Sequence, residues 1–113
     1  MAETDHTIRK LNLSEVPSKE IIQGYHGKMI HTPSMTFAYW DIEPNHKIPV
    51  HSHVHEQVVN MLEGEFELVV DGTPHRLTKG DVLIIPPNVP HGGHAISPTK
   101  ILDVFNPVRE DYQ

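Results

Sequence analysis

Cysteine is absent from the 113-residue chain. That excludes disulfides, thiolate zinc sites and cysteine nucleophiles. No apolar run is long enough to span a membrane or to follow the polar start Met1–His6 as a signal peptide, so the expected location is the cytoplasm. Lysine and arginine are few and unclustered, and the formal charge is −6. A weakly acidic chain without a Lys/Arg cluster argues against a nucleic-acid binder. Internal repeats, linkers, low-complexity segments and long helical patterns are also missing. The length fits one domain with a modest core, which a closed barrel, a bound metal or a partner subunit would help to hold together.

Histidine is what the chain has in excess, with ten residues. A solvated His-rich tract would place them in a polar low-complexity run. Instead His46, His51, His53, His55, His91 and His94 stand at fixed offsets among strand-forming residues.

From Ser34 onward the pattern is β. Met35–Ile42 is rich in aromatic and branched residues, and Glu43–Lys47 is a turn. Short strands are expected over Val50–His53, Gln57–Leu62, Glu65–Val70, Thr73–Leu77, Asp81–Ile85, His91–Ile96 and Thr99–Phe105. Asp71-Gly72 marks a hairpin, and Pro86-Pro87 stops a strand. About eight short strands with frequent turns predict an all-β sandwich or small barrel over residues 34–113. Residues 1–33 are weakly patterned, interrupted by Gly24 and Gly27, and are expected as an N-terminal arm or strands packing on that barrel.

His51 and His53 stand at i and i+2, which on a strand puts two imidazoles on one face. Gln57 follows after a possible turn, with Glu56 beside it competing as a ligand. His91 arrives behind Pro86-Pro87-Asn88-Val89-Pro90, whose prolines fix where its ring points. His55 and His94 read as rim residues, and His46 as a loop residue.

Pro49-x-His51-x-His53-x3-Gln57-x6-Gly64 resembles the first motif of the cupins, and Gly80-x5-Pro86-x-Asn88-x2-His91 resembles the second. The resemblance covers residues 34–106. It implies a single-domain jelly-roll, or double-stranded β-helix, barrel with one divalent transition metal (Ni, Zn, Mn, Co or Fe) on His51, His53, Gln57 and His91. Gln57 stands where many cupins have Glu, Asn88 where Gly is usual, and Ala95 where Asn is frequent. Three imidazoles and an amide leave the full charge on the ion, which suits polarising a substrate oxygen. The two-His-one-carboxylate set of many non-haem iron oxygenases is not reproduced.

At the C-terminus, Asp103 and Phe105 share one strand face, with Leu102 and Val104 on the other. An ordinary strand end with a surface Arg–Asp pair weighs evenly against a carboxylate and an aromatic ring lining a cavity. Asp103-x-Phe105-x3-Arg109-Glu110-Asp111-Tyr112 resembles the ending of the pectin-degradation KdgF cupins. That resemblance implies conversion of cyclic 4,5-unsaturated uronates to linear keto-uronates. Asp103 would act as acid/base, Arg109 would hold the carboxylate of an anionic sugar, and Phe105 would pack on the ring. Tyr39 and Met61 are further candidates for substrate contact. Two other functions compete. A metal-dependent dioxygenase acting on an enol-like or phenolic substrate would use Phe37, Tyr39, Trp40, Met61 and Phe105 as cavity walls. A non-catalytic metal- or sugar-binding barrel needs no acid/base. A homodimer is expected, because small barrels of this type commonly pair sheet edges through an N-terminal arm.

Overall fold

A computed structural model describes residues 7–113. Ten strands follow a 3₁₀ turn at Leu13–Glu15. They are β1 (Lys19–Ile22), β2 (Tyr25–His31), β3 (Thr36–Ile42), β4 (Lys47–His51), β5 (Glu56–Glu63), β6 (Glu65–Val70), β7 (Thr73–Thr78), β8 (Val82–Ile85), β9 (His91–Ala95) and β10 (Thr99–Asn106). A second 3₁₀ turn, Glu110–Tyr112, lies near the end of the chain. Among the described residues no helix is long and apolar enough to cross a membrane.

All pairings are antiparallel, in a six-stranded sheet ordered β1-β2-β3-β10-β5-β8 and a four-stranded sheet ordered β4-β9-β6-β7. The expected strands are present with shifted ends. Two more come from the weakly patterned N-terminal region, where β2 pairs along its length with β3 and buries Tyr25. The second difference concerns His53. The stretch Val50–His53 was expected as one strand, but β4 ends at His51. His53 lies in the β4–β5 connection, where its Nδ1 bonds the His55 carbonyl and its own carbonyl accepts from the Asn88 amide. The two rings therefore approach through a turn rather than through strand periodicity.

The core lies between the sheets. Tyr25, Ala38, Trp40, Val59, Met61, Ile101 and Phe105 come from the larger sheet; Phe66, Leu68, Leu77 and Ala95 come from the smaller one. Period-two alternation sorts β10, with Ile101, Asp103 and Phe105 inward and Leu102 and Val104 outward. Asn88 adopts φ +66°, in the left-handed region that asparagine tolerates better than most side chains. Its use where glycine is common therefore keeps the same turn.

The outer face of the larger sheet is unusually apolar. One row across five strands reads Ile30, Phe37, Val104, Val58 and Ile84; its neighbour reads Lys28, Tyr39, Leu102, Asn60 and Val82. Ile84 and Val82 are 61% and 58% exposed.

Gly93 faces its neighbours too closely for a side chain, since a methyl group there would run into the Glu67 carbonyl and the Phe66 ring. Gly93→Ala is expected to destabilise the barrel by about 1–3 kcal/mol, read as a lower urea midpoint at an unchanged slope.

Candidate functional site

Three imidazoles converge at one end of the barrel. The candidate ligand atoms of His51, His53 and His91 all lie within 4.8 Å of one another. Ring centroids are 4.5 Å apart for His51 and His91, and 5.0 Å for His53 and His91. Each Nδ1 faces a backbone carbonyl: Pro49 at 2.9 Å for His51, His55 at 3.1 Å for His53 and Val89 at 2.9 Å for His91. A carbonyl only accepts, so Nδ1 carries the proton and Nε2 keeps its lone pair.

Those lone pairs fit a divalent ion. His91 Nε2 is buried with no hydrogen-bond partner among the described residues, as suits an atom awaiting a ligand bond. Gln57 Oε1 stands 3.1 Å from His53 Nε2, placing the amide oxygen at the same centre. Glu56, its competitor, is exposed on the outer face of β5, whereas Gln57 is buried. Burial lowers the pKa of His53 to about 4, helped by the charges of Arg109 and His91. Burial lowers that of His91 as well. Neutral imidazoles at pH 7 are the ligand form.

Asp103 lies deeper on the same inner face, on β10, and is buried. The Trp40 indole donates to its Oδ2 at 3.1 Å, while Oδ1 has no partner among the described residues. Burial raises the carboxyl pKa to about 7, against the opposing pull of Gln57, Trp40 and Arg109.

The chain after β10 folds back over this end. The Arg109 amide donates to Thr36 Oγ1 at 2.8 Å, which also bonds His31 Nδ1 at 2.8 Å. The guanidinium lies over the Phe105 and Tyr112 rings, with its carbon 4.7 and 4.2 Å from their centroids. Asp111 accepts from Nε at 2.9 Å and Nη2 at 2.7 Å, and the guanidinium holds that carboxyl below its ordinary range. One edge of the fork is thereby occupied. His51, Gln57, His91, Asp103, Phe105 and Arg109 line a single cavity, with Trp40 and Tyr112.

Two expected substrate contacts lie elsewhere. Tyr39 points to the outer face of β3, opposite Trp40, because alternation sends consecutive side chains to opposite faces. Met61 is buried in the core four residues along β5 from Gln57 and does not line the cavity. His94 falls on the opposite face of β9 from His91, and His46 sits in the β3–β4 turn. From the sequence Trp40 was named only as a cavity wall of the dioxygenase reading, and Tyr112 only as the end of the C-terminal motif, with no role of its own. Trp40 carried a signal, being the single tryptophan on the apolar parity of β3. A surface group of Glu20, His26 and Glu43 also has metal-ligand composition. There Glu43 already bonds His26 at 2.7 Å and raises its pKa, so the cluster is an ion pair.

Asp103 and His53 affect stability in opposite senses. A carboxyl with a raised pKa favours the fold below pH 3.8, and that advantage is lost as pH rises to about 7. A histidine with a lowered pKa disfavours the fold as pH falls from 6.5 to about 4. Asp103→Asn removes only the first effect. In metal-free protein it is expected to match wild type near pH 4 and to exceed it by on the order of a few kcal/mol at pH 7, measured by chemical denaturation across that range.

Comparison with known proteins agrees with this architecture. A family model described as a cupin domain matches residues 38–105. Over 64 residues the chain is 33% identical to the pectin degradation protein KdgF of Dickeya dadantii (strain 3937), covering 55% of this chain and 58% of that protein. The match therefore spans little more than half the length of that curated relative. The structure of KdgF from Halomonas sp. superposes with a TM-score of 0.89 at 26% identity, covering 95% of this chain and all (100%) of that one. An RmlC-like cupin from Shewanella frigidimarina NCIMB 400 gives a TM-score of 0.89 at 29% identity over 95% of this chain and 97% of its own. With the matched segment running from β3 through both histidine-bearing regions to β10, the chain belongs to the cupin family and is related to the pectin degradation protein KdgF.

Proposed function

We propose that this cupin converts a 4,5-unsaturated uronate to its linear keto form. The observation that carries the reading is one cavity lined by two imidazoles, His51 and His91, a buried carboxyl and a guanidinium, with the His53 ring converging on the same two imidazoles. His51, His53, Gln57 and His91 would hold a divalent metal, which supplies a Lewis acid for polarising a substrate oxygen. Arg109 binds the uronate carboxylate through the edge that Asp111 leaves free. Phe105 holds the guanidinium flat and presents its ring to the sugar. Asp103, with a pKa near 7, gives a proton to C4 of the enol as the bond between the anomeric carbon and the ring oxygen breaks; the anomeric hydroxyl loses its proton to water, leaving an aldehyde at C1 and the ketone at C5. The relatedness to KdgF supports this substrate class.

Metal-loaded protein is expected to accelerate loss of the ultraviolet absorbance of the conjugated enol in a lyase digest of pectin or alginate, and chelator-treated protein is not. Asp103→Ala and Arg109→Ala are each expected to lower kcat/KM by ~10²-fold or more, with metal content staying at about one ion per chain. Wild-type turnover in either variant removes the role given to that residue.

The deeper lining favours a second reading. Val59, Phe66, Leu68 and Ile101 make the floor of the cavity apolar, which suits an enol-like or phenolic substrate of a metal-dependent dioxygenase. Metal-dependent oxygen uptake with such a substrate, and no uronate conversion, would select it.

We also infer a homodimer through the outer face of the six-stranded sheet. Strand β8 is apolar on both faces, and the middle of the outer faces of β5 and β10 adds Val58, Leu102 and Val104, a pattern suited to burial. An apolar row of this kind is complementary to its own copy about a two-fold axis. Light scattering is expected to give twice the chain mass, falling to one chain for Val104→Glu. A wild-type monomer at the same concentration rejects the interface.

A further inference from the structure

The geometry points to Trp40 as the positioning residue that sets which oxygen of Asp103 faces the substrate, an inference that rests on the uronate reading above. In the β3–β10 ladder Asp103 pairs with Ala38 and Ile101 pairs with Trp40. Trp40 is thus the diagonal neighbour of Asp103 on the inner face, a separation that a long aromatic side chain spans. Its Nε1–H donates to Oδ2 at 3.1 Å, leaving Oδ1 unpartnered among the described residues. The surrounding residues hold the indole in this pose. Gly27, opposite Trp40 on β2, has no side chain, and a methyl group there would overlap the six-membered ring. Tyr25 and Tyr112 meet the indole edge-on, at centroid distances of 6.4 and 6.0 Å. Tyr112 also packs edge-on against Phe105, whose ring lies under Arg109.

A free carboxyl can present either oxygen after rotation about its last bond. The indole narrows that choice: its N–H needs a good acceptor, so it holds the carbonyl oxygen at Oδ2 and keeps the proton on Oδ1. Oδ1 then stays aimed while the anion is held by Arg109. Proton delivery requires the oxygen within hydrogen-bond reach of the reacting carbon, so this restraint acts on turnover rather than on substrate affinity.

Trp40→Phe keeps an aromatic ring and deletes the donor. In the metal-loaded full-length protein it is expected to lower kcat for the unsaturated uronate by ~10-fold or more with KM within about two-fold, and to leave metal content unchanged. In the Asp103→Ala background the same change is expected to have no further effect on turnover, since no carboxyl remains to be held. A spectroscopic readout is independent of activity. Trp40 is the only tryptophan, so removing its acceptor by Asp103→Ala is expected to shift the emission spectrum of the metal-free protein. Unchanged kcat in Trp40→Phe, beside an inactive Asp103→Ala, overturns the positioning role and leaves the uronate reading standing. A fully active Asp103→Ala overturns the acid/base reading itself, and this inference with it. If Trp40→Phe does not fold, the emission of Asp103→Ala decides, and an unshifted spectrum overturns the proposal.

Discussion

The alignment of β10 between β3 and β5 is the constraint on which the rest depends. Its ladder places Phe105 beside Thr36 and Gln57, and Asp103 beside Ala38 and Val59. One register on each side therefore aims Trp40, Gln57, Asp103 and Phe105 into the same space. A slip of one residue would send the carboxyl to the apolar outer face and Leu102 and Val104 to the interior. The small residues Ala38 and Gly27 then determine where large side chains lie, by leaving the volume that the indole and the carboxyl take up.

The site is built of groups whose charge the barrel suppresses or contains. Burial keeps His53 and His91 neutral, which prepares them as ligands, and keeps Asp103 protonated to higher pH than an exposed carboxyl. Arg109 retains its charge because Asp111 and two aromatic rings surround it. Gln57 is the natural donor in this setting. A carboxylate at that position would stand close to Asp103 in a poorly solvated cavity, and the two would compete for one proton. The amide supplies an oxygen toward the imidazoles without adding a second negative charge.

The last turn of the chain completes the cavity from outside the ladder. Thr36 and His31, from β3 and β2, anchor the segment that carries Arg109 and Tyr112. An N-terminal hairpin that pairs onto the sheet thus supports a wall formed by the C-terminus. Strand β2 and the last described turn of the chain thus meet beside the site although neither contains a candidate metal ligand.

Much of this was legible in the sequence. Turn residues and period-two alternation depend on neighbours in the chain, so they marked the strands from β3 to β10 and the face that Asp103 and Phe105 share; that this face points inward came from the fold. The spacing of His51 and His53, with His91 behind a rigid proline-rich entry, marked the cluster that could hold a metal. Other features required the fold. The weak apolar pattern of Tyr25–His31 did not reveal a central strand, because a glycine stands where the neighbouring indole needs room. Tyr39 and Trp40 are adjacent aromatics of similar propensity, and only the pairing of β3 with β10 decides which faces the cavity. The approach of Trp40 to Asp103, 63 residues apart, and the return of Arg109 over Phe105 are through-space contacts. Local sequence specifies the faces of each strand; the juxtaposition of faces is set by register and barrel closure, which are properties of the whole chain.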